Sequence, residues 1–213
     1  MKLKIKICGL IDPKNTKDII KLKPEFLGFN FYPSSPRYVG NAPGWIAELL
    51  PAGILKVGVF VNENADTIIG ITQRYKLDMV QLHGSESEEV CKVVRAHFPV
   101  MKALGVGDSF PLEEVRKYEE VCDFYLFDCK TPAFGGSGKK FNWEVLADNP
   151  FSKPYFIGGG LSAEDGPLLK TFSGRFTNMV GIELNSRFEL EPGIKNTKVI
   201  QKFIAQNENS KTS

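Results

Sequence analysis

Apolar and polar positions along the chain fall into short apolar runs alternating with segments of helical periodicity. Leu3 to Cys8 alternates, the pattern of a half-buried strand. By parity Leu3, Ile5 and Ile7 share one face, and Lys4, Lys6 and Cys8 share the other, with Gly9 ending the run. Further strands are predicted at Phe26 to Phe31, Ile54 to Val61, Met79 to Leu82, Val100 to Leu104, Phe124 to Phe127, Tyr155 to Ile157 and Met179 to Glu183. Between them the pattern predicts helices from Asp12-Pro13 to about Lys23, Pro43 to Leu50, Ala65 to Arg74, a segment ending near His97, and Leu112 to Glu120. Three more follow at about Asn142 to Ala147, Ala163 to Thr171 and Thr197 to Ala205. Ser85 and Glu88 have the spacing of a capping box for the fourth helix. The chain from about 206 to 213 is polar and is expected to fray.

Eight strands, each followed by a helix, argue for a parallel sheet. At 213 residues the chain fits one compact α/β domain, a (β/α)8 TIM barrel spanning 1–213. An open doubly wound sheet is the alternative, but the turn after the first strand is only Cys8-Gly9, not a glycine-rich loop.

Strand ends converge on one rim of such a barrel, where ligands bind. Here they are polar although the strands leading to them are apolar. In order they carry Cys8, Asn30 with Arg37 in the next loop, Asn62, Gln81 with His83, Asp128, Gly158 to Gly160, and Glu183 with Asn185 and Ser186. Asp128 ends an apolar aromatic run and precedes a loop with Gly135, Gly136, Gly138 and Lys139. The alternatives for Asp128 are a solvated turn residue and a catalytic carboxylate. The loop is not a P-loop, because that template fails at Ala133 and at Lys140. Glycines at Gly159 and Gly160 let backbone approach an anion closely, and with Asn185 and Ser186 they suggest a phosphate cradle in place of a plain turn. Arg37 has the planar fork that grips a carboxylate, or it is a loop salt-bridge residue. Gln81 and His83 are ligand contacts or ordinary strand-end hydrogen bonders. Cys8 shares a face with Lys6, whose ammonium is expected to lower the thiol pKa.

Composition narrows the picture slightly. Hydrophobic residues make up 42% and charged residues 24%, and the net charge of +2 demands neither nucleic acid nor an anionic membrane. No apolar run has the length of a membrane span, and residues 1–8 lack a signal-peptide core. The four cysteines form no CxxC pair and read as reduced cytoplasmic thiols. With only His83 and His97, no metal site is expected.

Motifs spread over nearly the whole chain resemble phosphoribosylanthranilate isomerase of tryptophan biosynthesis. They are K-I-C-G-L at 6–10, G-F-N-F-Y-P-S-S-P-R-Y-V at 28–39, V-G-V-F-V-N at 57–62 and V-Q-L-H-G at 80–84. F-D-C with G-G-S-G-K-K-F-N-W at 127–143, G-G-G-L at 158–161 and P-G-I-K-N at 192–196 complete the set. The resemblance implies a cofactor-free and metal-free barrel that performs an Amadori rearrangement, converting N-(5′-phosphoribosyl)anthranilate to the 1-deoxyribulose 5-phosphate product. It implies Asp128 as general acid at the furanose ring oxygen and Cys8 as general base at C2′. The acid is then expected to have a raised pKa and the base a lowered one. Arg37 would contact the anthranilate carboxylate, Gly159, Gly160, Asn185 and Ser186 the phosphate, and the Gly135 to Lys139 loop would be a lid. The family contains monomers and homodimers. Two departures stand out: Glu183 replaces the usual Asp, and Arg187 replaces the glycine of Ser-Gly. Arg187 either adds a phosphate contact or points to solvent. Rival readings are a metal-dependent pentose phosphate epimerase, a Cys8–His83 thiol-nucleophile enzyme and a phosphate-binding regulatory barrel.

Overall fold

The computed structural model describes residues 3–40, 44–49, 52–130, 140–147, 151–176 and 178–208. Eight strands close a parallel barrel in sequence order: β1 (Lys4–Cys8), β2 (Phe26–Asn30), β3 (Leu55–Phe60), β4 (Met79–Leu82), β5 (Val100–Val106), β6 (Phe124–Cys129), β7 (Tyr155–Ile157) and β8 (Met179–Leu184). Closure comes from β1 pairing with β8, in a register that sets Lys6 opposite Glu183. The helices are α1 (Pro13–Ile20), α2 (Gly44–Glu48), α3 (Ala65–Arg74), α4 (Glu88–Arg95), α5 (Leu112–Tyr118), α6 (Gly166–Ser173) and α7 (Thr197–Glu208).

The alternation of side chains makes two cores. Ile5 and Ile7 point outward into the layer between strands and helices, together with Leu27, Val80, Leu82, Ile182 and Leu184. Phe26, Val57, Met79, Met101, Ala103, Leu126 and Phe156 point inward and fill the lower barrel, with Phe26 and Phe156 edge to face at 5.4 Å. The barrel is therefore plugged at its N-terminal end and polar at its C-terminal end.

Three expectations need correction. α4 is capped by Ser87, whose Oγ accepts from the Val90 amide at 3.3 Å, and not by a Ser85/Glu88 box. The Ser85 amide is instead held by Asn62 Oδ1 at 2.7 Å, so the helix starts two residues later. Strand β6 is followed, among the described residues, by a single 3₁₀ turn at Trp143–Leu146 and not by an α-helix. Trp143 and Leu146, three apart, eclipse in such a turn and bury together. Phe151 covers the outer face of β6 there, stacked on Phe110 at 5.3 Å and edge-on to Phe127 at 5.4 Å. Finally, α7 runs to Glu208, three residues beyond its expected end; residues 209–213 of the polar tail lie outside the described residues. A short hairpin, β9 (Glu189–Glu191) with β10 (Ile194–Lys195), is inserted after β8 and was not expected from the pattern.

Burial pushes the Cys91 thiol up to about 11 and the Cys122 thiol up to about 12, from an ordinary value of 9.0. The unfolded chain releases these protons near 9 and the folded chain does not, so unfolding becomes easier as pH rises. Stability from this source is complete below about pH 9 and is lost as pH climbs through 11 to 12. Unfolding free energies from urea titrations at pH 7.5 and 10.5 are expected to differ by about 2 kcal/mol per thiol. A Cys91→Ala/Cys122→Ala variant should lose most of that slope.

Candidate active site

A cavity of about 130 Å³ opens at the C-terminal end of the barrel, the end left polar by the strand pattern. Its wall includes Cys8, Arg37, Gln81, His83, Asp128, Gly159, Gly160, Asn185 and Ser186, which brings all nine of these predicted site residues to one place. Asn30, Ser34, Ser35, Pro36, Val59, Leu161 and Glu183 complete it. Of the predicted strand-end residues, Asn62 turns away: its backbone has φ 53° and its side chain anchors the loop after β4. Gly135, Gly136, Gly138 and Lys139 lie outside the described residues.

Cys8 reaches the wall from the end of β1, and Gly28 on β2 makes its room. A Cβ at Gly28 would come within 2.6 Å of the Cys8 sulfur. One turn of the pleat below, Lys6 forms an ion pair with Glu183, and both side chains are buried. Burial would lower the Lys6 pKa, but the charges of Cys8 and Glu183 carry it above the ordinary lysine value. Cys8 moves in the direction opposite to the expected one. Burial, followed by the Glu183 carboxylate, pushes the thiol up, and these outweigh Lys6 and Lys195. The ammonium seen in the sequence is largely answered by a carboxylate arriving from β8.

Asp128 ends β6 on the opposite wall. Its Oδ1 accepts from the Cys129 amide at 2.7 Å, and His83 Nε2 lies 3.4 Å from its Oδ2. His83 Nδ1 is in turn 2.8 Å from Gln81 Nε2. A neutral ring that accepts from Gln81 at Nδ1 carries its proton on Nε2, facing Asp128. Gln81 is fully buried, and its Oε1 has no hydrogen-bond partner among the described residues, which leaves an acceptor for a ligand. Gly159 has φ 74°, and a Cβ there would meet Asp128 Oδ1 at 2.6 Å. A side chain at this position would both strain the backbone and displace the carboxylate.

Arg37 comes from the loop after β2. Its Nε lies 2.9 Å from Glu189 Oε1 and 3.1 Å from Oε2, and its Nη2 donates to Oε2 at 2.6 Å. Glu189 also accepts from Lys195 Nζ at 2.7 Å and from the Gly193 amide at 3.0 Å. Lys195 Nζ donates as well to Asn185 Oδ1 at 2.8 Å. Burial alone would raise Glu189, but hydrogen bonds from Arg37 and the charge of Lys195 hold its carboxyl below the usual range. Burial draws Lys195 below the ordinary lysine range, against the pull of Glu189. Neither Glu189 nor Lys195 stood out in the sequence; the signal available was the P-G-I-K-N motif that contains Lys195. Arg187 is exposed, and the cavity wall given above does not include it.

The arrangement presents a carboxyl and a thiol across one small cavity, a guanidinium at its edge and glycine-rich backbone beside it. Residues 5–206 match the family model described as N-(5'phosphoribosyl)anthranilate (PRA) isomerase. A relative from Parabacteroides distasonis, called N-(5'-phosphoribosyl)anthranilate isomerase, is 36% identical over 208 residues, covering 95% of this chain and 92% of its own. The crystal structure of phosphoribosyl anthranilate isomerase from Thermotoga maritima superimposes with a TM-score of 0.84 at 30% identity, covering 97% of this chain and 99% of that one. Another isomerase structure, in complex with reduced 1-(o-carboxyphenylamino)-1-deoxyribulose 5-phosphate, gives a TM-score of 0.81 at 27% identity and the same coverage. With the family model spanning nearly all of its length and a relative above 30% identity, the chain belongs to the N-(5'-phosphoribosyl)anthranilate isomerase family.

Proposed function

We propose that the protein isomerises N-(5′-phosphoribosyl)anthranilate to 1-(2-carboxyphenylamino)-1-deoxyribulose 5-phosphate, the Amadori step of tryptophan biosynthesis. The observation that carries the reading is that Cys8 from β1 and Asp128 from β6 open onto the same cavity, with Arg37 at its edge. Asp128 delivers a proton to the furanose ring oxygen; the ring C–O bond breaks and the anomeric carbon becomes the carbon of a Schiff base. Cys8 then removes the C2′ proton, giving an enolamine whose tautomerisation yields the ketone. Each step moves one proton, and no oxidant or reductant is needed. His83 and the Cys129 amide orient the Asp128 carboxyl. Gln81 Oε1 accepts a sugar hydroxyl, and Arg37 faces the carboxylate of the aromatic ring. Gly159, Gly160, Asn185 and Ser186 receive the phosphate, whose charge suits exposed backbone amides. No helix of the described residues is long and apolar enough to cross a membrane. The reading places the enzyme in the cytoplasm, where its pathway runs.

The purified protein is expected to turn over freshly made phosphoribosylanthranilate, followed by the loss of anthranilate fluorescence. Its gene is expected to restore tryptophan-free growth to a strain lacking the isomerase. Absence of turnover by folded protein overturns the reading. The homodimer allowed by family resemblance, and described for the Thermotoga maritima enzyme, is tested by sedimentation.

A further inference from the structure

Two buried cations and one buried carboxylate stand behind the cavity edge, and the proposed reaction as written does not use the carboxylate. Glu189 opens the β9–β10 hairpin, and that hairpin is fixed independently of the cavity. Asn15 on α1 brackets Lys195, accepting from its amide at 2.8 Å and donating to its carbonyl at 2.9 Å. Gly193 turns the hairpin at φ 89°, where a Cβ would strike Ile11 at 2.3 Å. The segment thus holds one carboxylate rigidly beneath Arg37. Glu189 takes the Nε and Nη2 side of the guanidinium. A guanidinium has a second edge, formed by its two terminal nitrogens, that binds a carboxylate in the same forked way. Arg37 and Lys195 carry two positive charges against the one negative charge of Glu189, so the cluster has one positive charge to offer a ligand anion.

We propose that Glu189 is a positioning residue that locks Arg37 edge-on so that its outer edge selects the carboxylate on the substrate's aromatic ring. This rests on the isomerase reading and adds to it the origin of the enzyme's preference for an ortho-carboxylated ring. The hairpin, in this account, exists to carry a counter-charge that aims the arginine and is itself hidden from the substrate.

The test is Glu189→Gln, which keeps the shape and removes the charge. KM is expected to rise about 10- to 100-fold, the scale of a charge-assisted hydrogen bond, with kcat within about threefold of wild type. Calorimetry would compare two ligands: the reduced product, and its phenylamino counterpart without the carboxylate. Wild type should strongly prefer the first, and Glu189→Gln should lose most of that preference while binding the second nearly as before. A preference retained in Glu189→Gln, or equal loss of both ligands, overturns the inference. If that variant does not fold by circular dichroism, Glu189→Asp, which retracts the charge by one methylene, is read by the same two criteria. Turnover by wild type is scored separately: its absence fails the isomerase reading, whereas a preference unchanged by the variants fails this inference alone.

Discussion

Asp128→Asn and Cys8→Ala are each expected to lower kcat by about 10²- to 10⁴-fold while leaving the fold intact, the contribution of a positioned acid or base. Asn has nearly the shape of Asp and can still accept from the Cys129 amide at Oδ1, so substrate binding should change little. It has no proton to give the ring oxygen, and ring opening should become limiting. Cys8→Ala leaves only a small space beside Gly28, and C2′ deprotonation should become limiting instead. The two variants differ in pH dependence. Burial and Glu183 raise the Cys8 pKa, so the ligand-free enzyme holds its thiol protonated at neutral pH and the base form is the minor one. kcat/KM of the wild type is therefore expected to rise with pH beyond the ordinary thiol value, and Cys8→Ala should abolish that limb. A wild-type profile flat from pH 7 to 9.5, or a Cys8→Ala variant with the same limb, would contradict the assignment of the base. The deletion of both groups should cost little more than either alone, because they act in one sequence on one sugar.

The fold was legible because each strand announces itself locally. The run at Phe124 to Phe127 is apolar on both faces, as a strand enclosed by a plug and a helix layer must be, and Val100 to Leu104 departs from that only at Lys102, whose buried ammonium pairs with Glu86. Parity alone put Lys6 and Cys8 on one face, and strand ends with the loop after β2 collected most of the cavity wall. What could not be read came from across the barrel. The sequence shows Lys6 two residues from Cys8, which suggests a lowered thiol pKa. Only closure of β1 onto β8 reveals that Glu183 meets that ammonium and reverses the balance. Glu189 is 152 positions from Arg37 and sits in a hairpin too short to leave a periodic pattern. The Ser87 cap was missed for a smaller reason of the same kind. Ser85 and Ser87 are equally good caps in isolation, and Asn62, 23 positions away, takes Ser85 out of the choice.

Lys6→Met is expected to destabilise the protein by about 3–5 kcal/mol, because it strands the Glu183 carboxylate inside the barrel without its counter-charge. Glu183→Leu should cost a similar amount by stranding the ammonium. The Lys6→Met/Glu183→Leu double variant should recover most of the loss, since apolar replacement of a buried pair is often neutral or better. Urea unfolding of the four proteins forms a double-mutant cycle with a large coupling energy. If stability were the pair's whole purpose, the double variant would also be fully active. The electrostatics around Cys8 argue otherwise, since Glu183 raises the thiol and Lys6 lowers it. Glu183→Gln should therefore shift the rising limb of kcat/KM to lower pH, and Lys6→Met should shift it to higher pH. Opposite shifts from the two halves of one ion pair are not expected of a purely structural bridge, which would move both profiles together or neither.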